Sequence, residues 1–154
     1  MNFPEVKRKS RKAPYHKPDA VKELERLAMD EARRKYPNHP AGVLAPRIFR
    51  DDSANGLTQC IVKYITLQGG FASRINSTGI YNKKLHKYIP GTQKKGIADV
   101  MATFKGLSLH IEIKHGRDVQ SEAQKKVESE VNRAGGRYYL ARDFSSFKSW
   151  LDKI

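Results

Sequence analysis

The chain is short of several things that would otherwise direct its reading. Only one residue in 154, Cys60, is a cysteine, so no internal disulfide forms and a reducing cytosol suits it. There is no long uncharged apolar span, signal-peptide core or strongly basic amphipathic helix, so no membrane partner is expected. Five histidines are present, yet none stands at zinc spacing: a strand-like run separates His110 from His115, and the others are scattered. A metal site in this chain must therefore be built from oxygen ligands. Acidic residues are the last scarcity. There are 16 of them against 30 lysines and arginines, a net charge of +14, and none lies between Ser53 and Ala98.

A positive field of that size favours polyanionic partners such as nucleic acid. The acid-free segment holds Lys63, Arg74, Lys83, Lys84, Lys87, Lys94 and Lys95, with Tyr81, His86 and Tyr88 interleaved. Two readings stand. The lysines are a solvated loop that aids solubility, or they track phosphates by displacing counterions, with aromatics either stacking on bases or anchoring the loop. The opening run "MNFPEVKRKSRKAPYHKP" has the same two readings, as a solubilising tail or a phosphate-contacting arm.

Apolar spacing predicts the rest of the organisation. A helix begins at Pro18–Asp19 with Val21, Leu24, Ala28 and Ala32 on one stripe, and a loop runs from Pro37 to Ser53. A second helix carries Leu57, Cys60, Ile61, Tyr64 and Ile65 and stops at Gly69–Gly70, with Cys60 as a core residue. "FASRIN" reads as a strand, followed by a long loop to Gly96. "IADVMATF" and "LSLHIEIK" read as strands joined by a tight Lys105–Gly106 hairpin. A helix with Ala123, Val127, Val131 and Ala134 on one face, the strand "RYYLAR" and a closing helix with Phe144, Phe147, Trp150 and Leu151 complete the chain. The expected fold class is α/β (α+β), a mixed sheet flanked by helices. Residues 1–52 form a basic extension with one helix and residues 53–154 the core domain.

Charges in the strand pair raise the functional question. Residues two apart on a strand share a face, so Glu112 and Lys114 project together while Ile111 and Ile113 face the core. Asp99 begins the neighbouring strand. Negative groups inside a polyanion-binding surface repel the partner unless something offsets them. Asp99, Glu112 and the Ile113 carbonyl make a partial oxygen cage for Mg²⁺ or Mn²⁺, with Lys114 placed to orient a water or stabilise phosphate oxygens. The alternative is a cross-strand salt bridge on a half-exposed sheet face, a weak contact of about 0–1 kcal/mol. Ser121 and Gln124 form a capping-box pattern at a helix start.

At these residues the sequence resembles the PD-(D/E)xK nuclease superfamily, most closely its virus-type replication-repair (VRR-NUC) group. "GIAD" at Gly96–Asp99, "IEIK" at Ile111–Lys114 and "SEAQ" at Ser121–Gln124 carry the resemblance, together with the element order. "SRINSTG", which holds Arg74 and Asn76, is similar to the strand and glycine loop preceding the acids in that group. The resemblance covers about Asn55 to Leu151. It implies a restriction-endonuclease-like αβββαβα core and metal-dependent DNA phosphodiester cleavage, with branched or flapped DNA among the substrates. A bacterial or phage-infected cell is the implied setting, and a homodimer one implied arrangement. Asp99 and Glu112 are implied metal ligands, Lys114 the water-positioning base and Gln124 an active-site support. Members usually carry a glutamate on the first core helix. Here Asn55 or Gln59 stands in that region, able to hold a metal-bound water but contributing no charge. A DNA-binding relative without catalysis and a basic ribonucleoprotein or structural component are therefore the competing readings.

Overall fold

Pro18 holds an extended backbone at the N-cap of the first helix, α1 (Asp19–Lys35), and Asp19 lies at its amide-rich end. Arg33, Arg34 and Lys35 lie at the carbonyl end, the favourable orientation for both charges. The computed structural model describes residues 14–40, 42–76, 79–89, 91 and 93–154. Most of the basic opening arm, residues 1–13, lies outside the described residues. The second helix, α2 (Ala54–Leu67), is capped by Ser53, whose Oγ accepts from the Gly56 amide at 3.1 Å. Then follow β1 (Phe71–Arg74), β2 (Ile80–Asn82), β3 (Lys87–Ile89), β4 (Val100–Phe104), β5 (Leu107–Ile113), α3 (Glu122–Arg133), β6 (Arg137–Ala141) and α4 (Phe144–Leu151).

Among the described residues the fold is mixed α+β, with four helices, one four-stranded mixed sheet and one two-stranded ribbon. The main sheet has the order β1-β4-β5-β6. The β1–β4 and β4–β5 pairs are antiparallel, and β5–β6 is parallel because α3 carries the chain back across the sheet. Lys105 and Gly106 both have positive φ, 48° and 78°, the two-residue turn that matches the twist of a β4–β5 hairpin.

One sheet face is the main core. Val100, Ala102, Phe104, Leu109, Ile111 and Ile113 alternate along β4 and β5 and meet α2 and α4. Val21 and Leu24 of α1 belong to the same cluster, packed over α2 and α4. Asp51 ties these parts together: it accepts from the Tyr15 hydroxyl at 2.8 Å and from the Phe144 amide at 3.3 Å. Cys60 is fully buried in this cluster, and burial pushes its thiol up to about 12, which leaves it an inert core residue. The opposite face carries His110, Glu112 and Tyr138 and is covered by α3, where Val127 is buried. No helix among the described residues is long and apolar enough to cross a membrane.

The run after β1 departs from the expected loop. It contains the β2–β3 ribbon, paired Ile80↔Ile89, Tyr81↔Tyr88 and Asn82↔Lys87. The turn is made by Asn82, whose Oδ1 accepts from the Lys84 and Leu85 amides at 2.9 and 3.1 Å. Strands of three residues amid dense lysines show too little alternation to read from sequence.

Candidate functional site

The β4–β5 register places the acids. Val100, the first residue of β4, lies opposite Ile111; Asp99 immediately precedes Val100, Glu112 immediately follows Ile111, and the Asp99 charge lies close enough to act on Glu112. Asp99 is fixed from two sides. Its carbonyl accepts from the Ile75 amide at 2.7 Å, continuing β1, and its Oδ2 accepts from the Ile113 amide at 2.9 Å.

The expected half-exposed face is instead closed. Glu112 is 3% exposed and Lys114 4%, because the first turn of α3 lies over them. Lys114 Nζ is 3.1 Å from Glu112 Oε1 and donates to Gln124 Oε1 at 3.0 Å. It also reaches Asp118 Oδ2 at 3.4 Å. Gln124 Nε2 donates to Glu112 Oε1. The weak exposed salt bridge is therefore not what forms; this is a buried, shared ion pair, and desolvation governs its energetics.

Gln124 unites its two readings in one side chain. Its amide N–H donates to Ser121 Oγ at 3.3 Å, and its Oε1 accepts from the Ser121 amide at 2.8 Å, a complete capping box. The same Oε1 receives Lys114, and the Nε2 of the same side-chain carboxamide donates to Glu112. The cap thus fixes the orientation of the carboxamide between the two charges.

Glu112 Oε2 is left buried with no hydrogen-bond partner among the described residues. Burial, then the Asp99 charge, raises the Glu112 pKa above the ordinary 4.5, against the opposing pull of Lys114. The donor types fit a hard divalent cation: two carboxylates within electrostatic reach of one another, one with an orphaned oxygen. No group of three or more His, Cys, Asp or Glu side chains gathers among the described residues. A cation held by these residues would need further ligands from water or another oxygen donor, which is how Mg²⁺ is usually held.

A cleft of about 480 Å³ opens beside Asp99, lined also by Gln124, Lys94, Lys95, Tyr88 and Gly96 among others, with the buried Glu112 outside its lining. Gly96 has φ +84°, and a Cβ there would lie 2.5 Å from the backbone of Ala123 in α3. Gly96→Ala combines left-handed strain with overpacking against α3, an expected loss of about 2–4 kcal/mol in urea unfolding. A loss below about 0.5 kcal/mol, the scale of a neutral surface change, shows that α3 does not pack this closely.

The remaining candidates fall elsewhere. Asn55 Oδ1 accepts from Arg74 Nη1 at 2.6 Å, fastening the start of α2 to the end of β1, and Gln59 is exposed on α2. No hydrogen bond among the described residues joins either amide to Asp99, Glu112 or Lys114. Asp52 pairs with Arg50 at 2.5 Å, and that contact holds its carboxyl below the usual range. Asn76, Lys83, Lys84, Lys87 and Lys95 are exposed, whereas Lys94 is bound to Glu130 of α3. Two residues near the site had no reading in sequence. Asp118 reaches Lys114 four positions on, a spacing visible in the chain; Tyr138 arrives beside His110 only through the parallel β5–β6 register, which no local pattern signals. No family model matches this chain, and neither the curated proteins nor the solved structures contain a match.

Proposed function

We propose that the chain is a divalent-metal-dependent DNA endonuclease built on a restriction-endonuclease-like core. The observation that carries this reading is the orphaned, buried Glu112 Oε2, within electrostatic reach of an Asp99 that lines a lysine-bearing cleft. Burying a carboxylate oxygen without a partner is costly, and a bound cation offsets both that cost and the mutual repulsion of the acids. The succession α2, β1, β4, β5, α3, β6, α4 supports an αβββαβα arrangement with the ribbon inserted after its first strand.

Asp99, Glu112 and the Ile113 carbonyl hold Mg²⁺ or Mn²⁺ in this reading, and that ion supplies a lowered pKa for water and charge neutralisation at phosphorus. Lys114, fixed by Gln124, directs an attacking water toward phosphorus and offsets charge on the phosphate oxygens. The water oxygen forms the new bond to phosphorus as the bond to the leaving sugar oxygen breaks. The basic surface positions the backbone and carries no base specificity.

The test is a panel of single-stranded, duplex, flap and four-way DNA substrates with Mg²⁺, with Mn²⁺ and with chelator. Cutting that needs the metal supports the nuclease. Salt-sensitive binding with no cutting in any arm favours a DNA-binding module, the reading to which the uncharged Asn55 and Gln59 lend support. Neutralising Lys83, Lys84 and Lys87 together is expected to reduce the slope of log affinity against log salt by about 0.9 for each duplex phosphate that is no longer neutralised. An unchanged slope moves the DNA-binding surface off the ribbon.

A further inference from the structure

We propose that the β2–β3 ribbon is a stacking platform that selects unpaired nucleotides of DNA and feeds them to the cleft lined by Asp99; this deepens the nuclease reading and rests on it for the cleft's role. Tyr81 and Tyr88 are directly paired across the ribbon, so their side chains stand on one face of it. They are 54% and 60% exposed. Aromatic rings kept that far in water on a short ribbon add little to folding, and an isolated two-stranded hairpin is itself marginal.

Three further observations say what covers them. The first is charge: Lys83, Lys84 and Lys87 are exposed on the same ribbon, within the stretch that lacks any Asp or Glu. Apolar protein partners do not call for those surroundings, whereas a phosphate backbone does. The second is position. Tyr88 also lines the cleft that holds Asp99 and Gln124, so one strand can lie against both. The third is local fit. The Tyr88 ring rests on Gly79, where an added Cβ would sit 2.6 Å from a ring carbon, so a residue without a side chain gives the ring its seat. A fixed ring loses little freedom on binding.

Stacking on an aromatic side chain requires a free base face, which a continuous duplex does not offer. The ligand class is therefore DNA with unpaired nucleotides, alone or beside a duplex.

The test measures binding by the full chain in chelator, where no cutting occurs, using a labelled oligothymidylate of about 20 nucleotides, longer than the site size of one single-strand-binding fold. Tyr88→Ala and Tyr81→Ala are each expected to weaken its binding by about fivefold to a hundredfold, with Tyr88→Phe close to the parent. Binding to a blunt duplex of the same length is expected to change less than twofold. Equal losses on both ligands, or none on either, overturn the inference and leave the metal-dependent cutting of duplex substrates to stand or fall alone. Tighter binding of the matching oligouridylate overturns the assignment to DNA. Loss confined to the single strand, in a chain that cuts nothing with Mg²⁺ or Mn²⁺, keeps the platform and sinks the nuclease.

Discussion

Replacing Lys114 with methionine is expected to lower the unfolding free energy by about 3–5 kcal/mol at neutral pH, the cost of stranding one partner of a buried pair. Lys114 and Glu112 are almost wholly buried, and Lys114 is the cation that compensates Glu112 at 3.1 Å. Without it, the carboxylate keeps only the Gln124 amide, and its second oxygen has nothing. The pH dependence gives a second handle. Glu112 already has a raised pKa when folded, so its contribution to stability is greatest in acid and declines as pH rises from 4.5 through the folded value. Removing Lys114 takes away an interaction that lowers that pKa, so the decline steepens and the defect shrinks again in acid. Urea unfolding of parent and variant across a pH series measures both effects. The double variant Glu112→Leu with Lys114→Met, which removes both charges, is expected to recover most of the loss. A single-variant cost under about 1 kcal/mol, the range of exposed pairs, means that water reaches this site. One shortcut is closed as a result: with total stabilities commonly of about 5–15 kcal/mol, a silent Lys114 variant in a cellular assay reports folding as readily as chemistry.

Asp99→Asn separates the two. Asp99 is half-buried at the cleft edge, and asparagine keeps an oxygen able to accept from the Ile113 amide, so the fold is expected to persist. The charge proposed to hold a cation is gone. On the proposed function, Mg²⁺ or Mn²⁺ at about a hundred times its dissociation constant stabilises the parent by about 2.7 kcal/mol. That gain disappears in Asp99→Asn, and cleavage falls by at least about 10²–10³-fold, the scale on which one preorganised charge acts. Thermal unfolding with and without each metal reads the first effect independently of any substrate. If parent and variant gain equally, the ion binds elsewhere and the acid pair is only an electrostatic feature of the fold.

Much of this arrangement was legible in the residues, and the reasons differ by element. The α1 stripe of Val21, Leu24, Ala28 and Ala32 is the buried face of that helix, because a period of 3.6 is a local signal that packing did not override. Lys105–Gly106 marked its hairpin because few residues accept two consecutive positive φ values. The common face of Glu112 and Lys114 followed from strand alternation. Its burial did not, since that depends on where α3 docks after a crossover, and a single acid-and-lysine face looks the same wet or dry. Gln124 held two readings for the same reason: the cap is local, while its bond with Lys114 is tertiary. The small ribbon was missed because three-residue strands carry almost no periodic signal, and the fastening of Asn55 to Arg74 joins residues from separate elements.

The two-residue link between β4 and β5 also governs the sequence of events when the chain folds. A hairpin closed by so short a turn forms on a scale of about 1–10 μs, and it brings the strand start after Asp99 alongside the strand end that carries Glu112. Gln124 is expected to arrive later, because α3 crosses over between β5 and the parallel β6, a pairing that is less local than the hairpin. In the folded chain it is this late-crossing helix, not the hairpin, that shuts water away from Glu112.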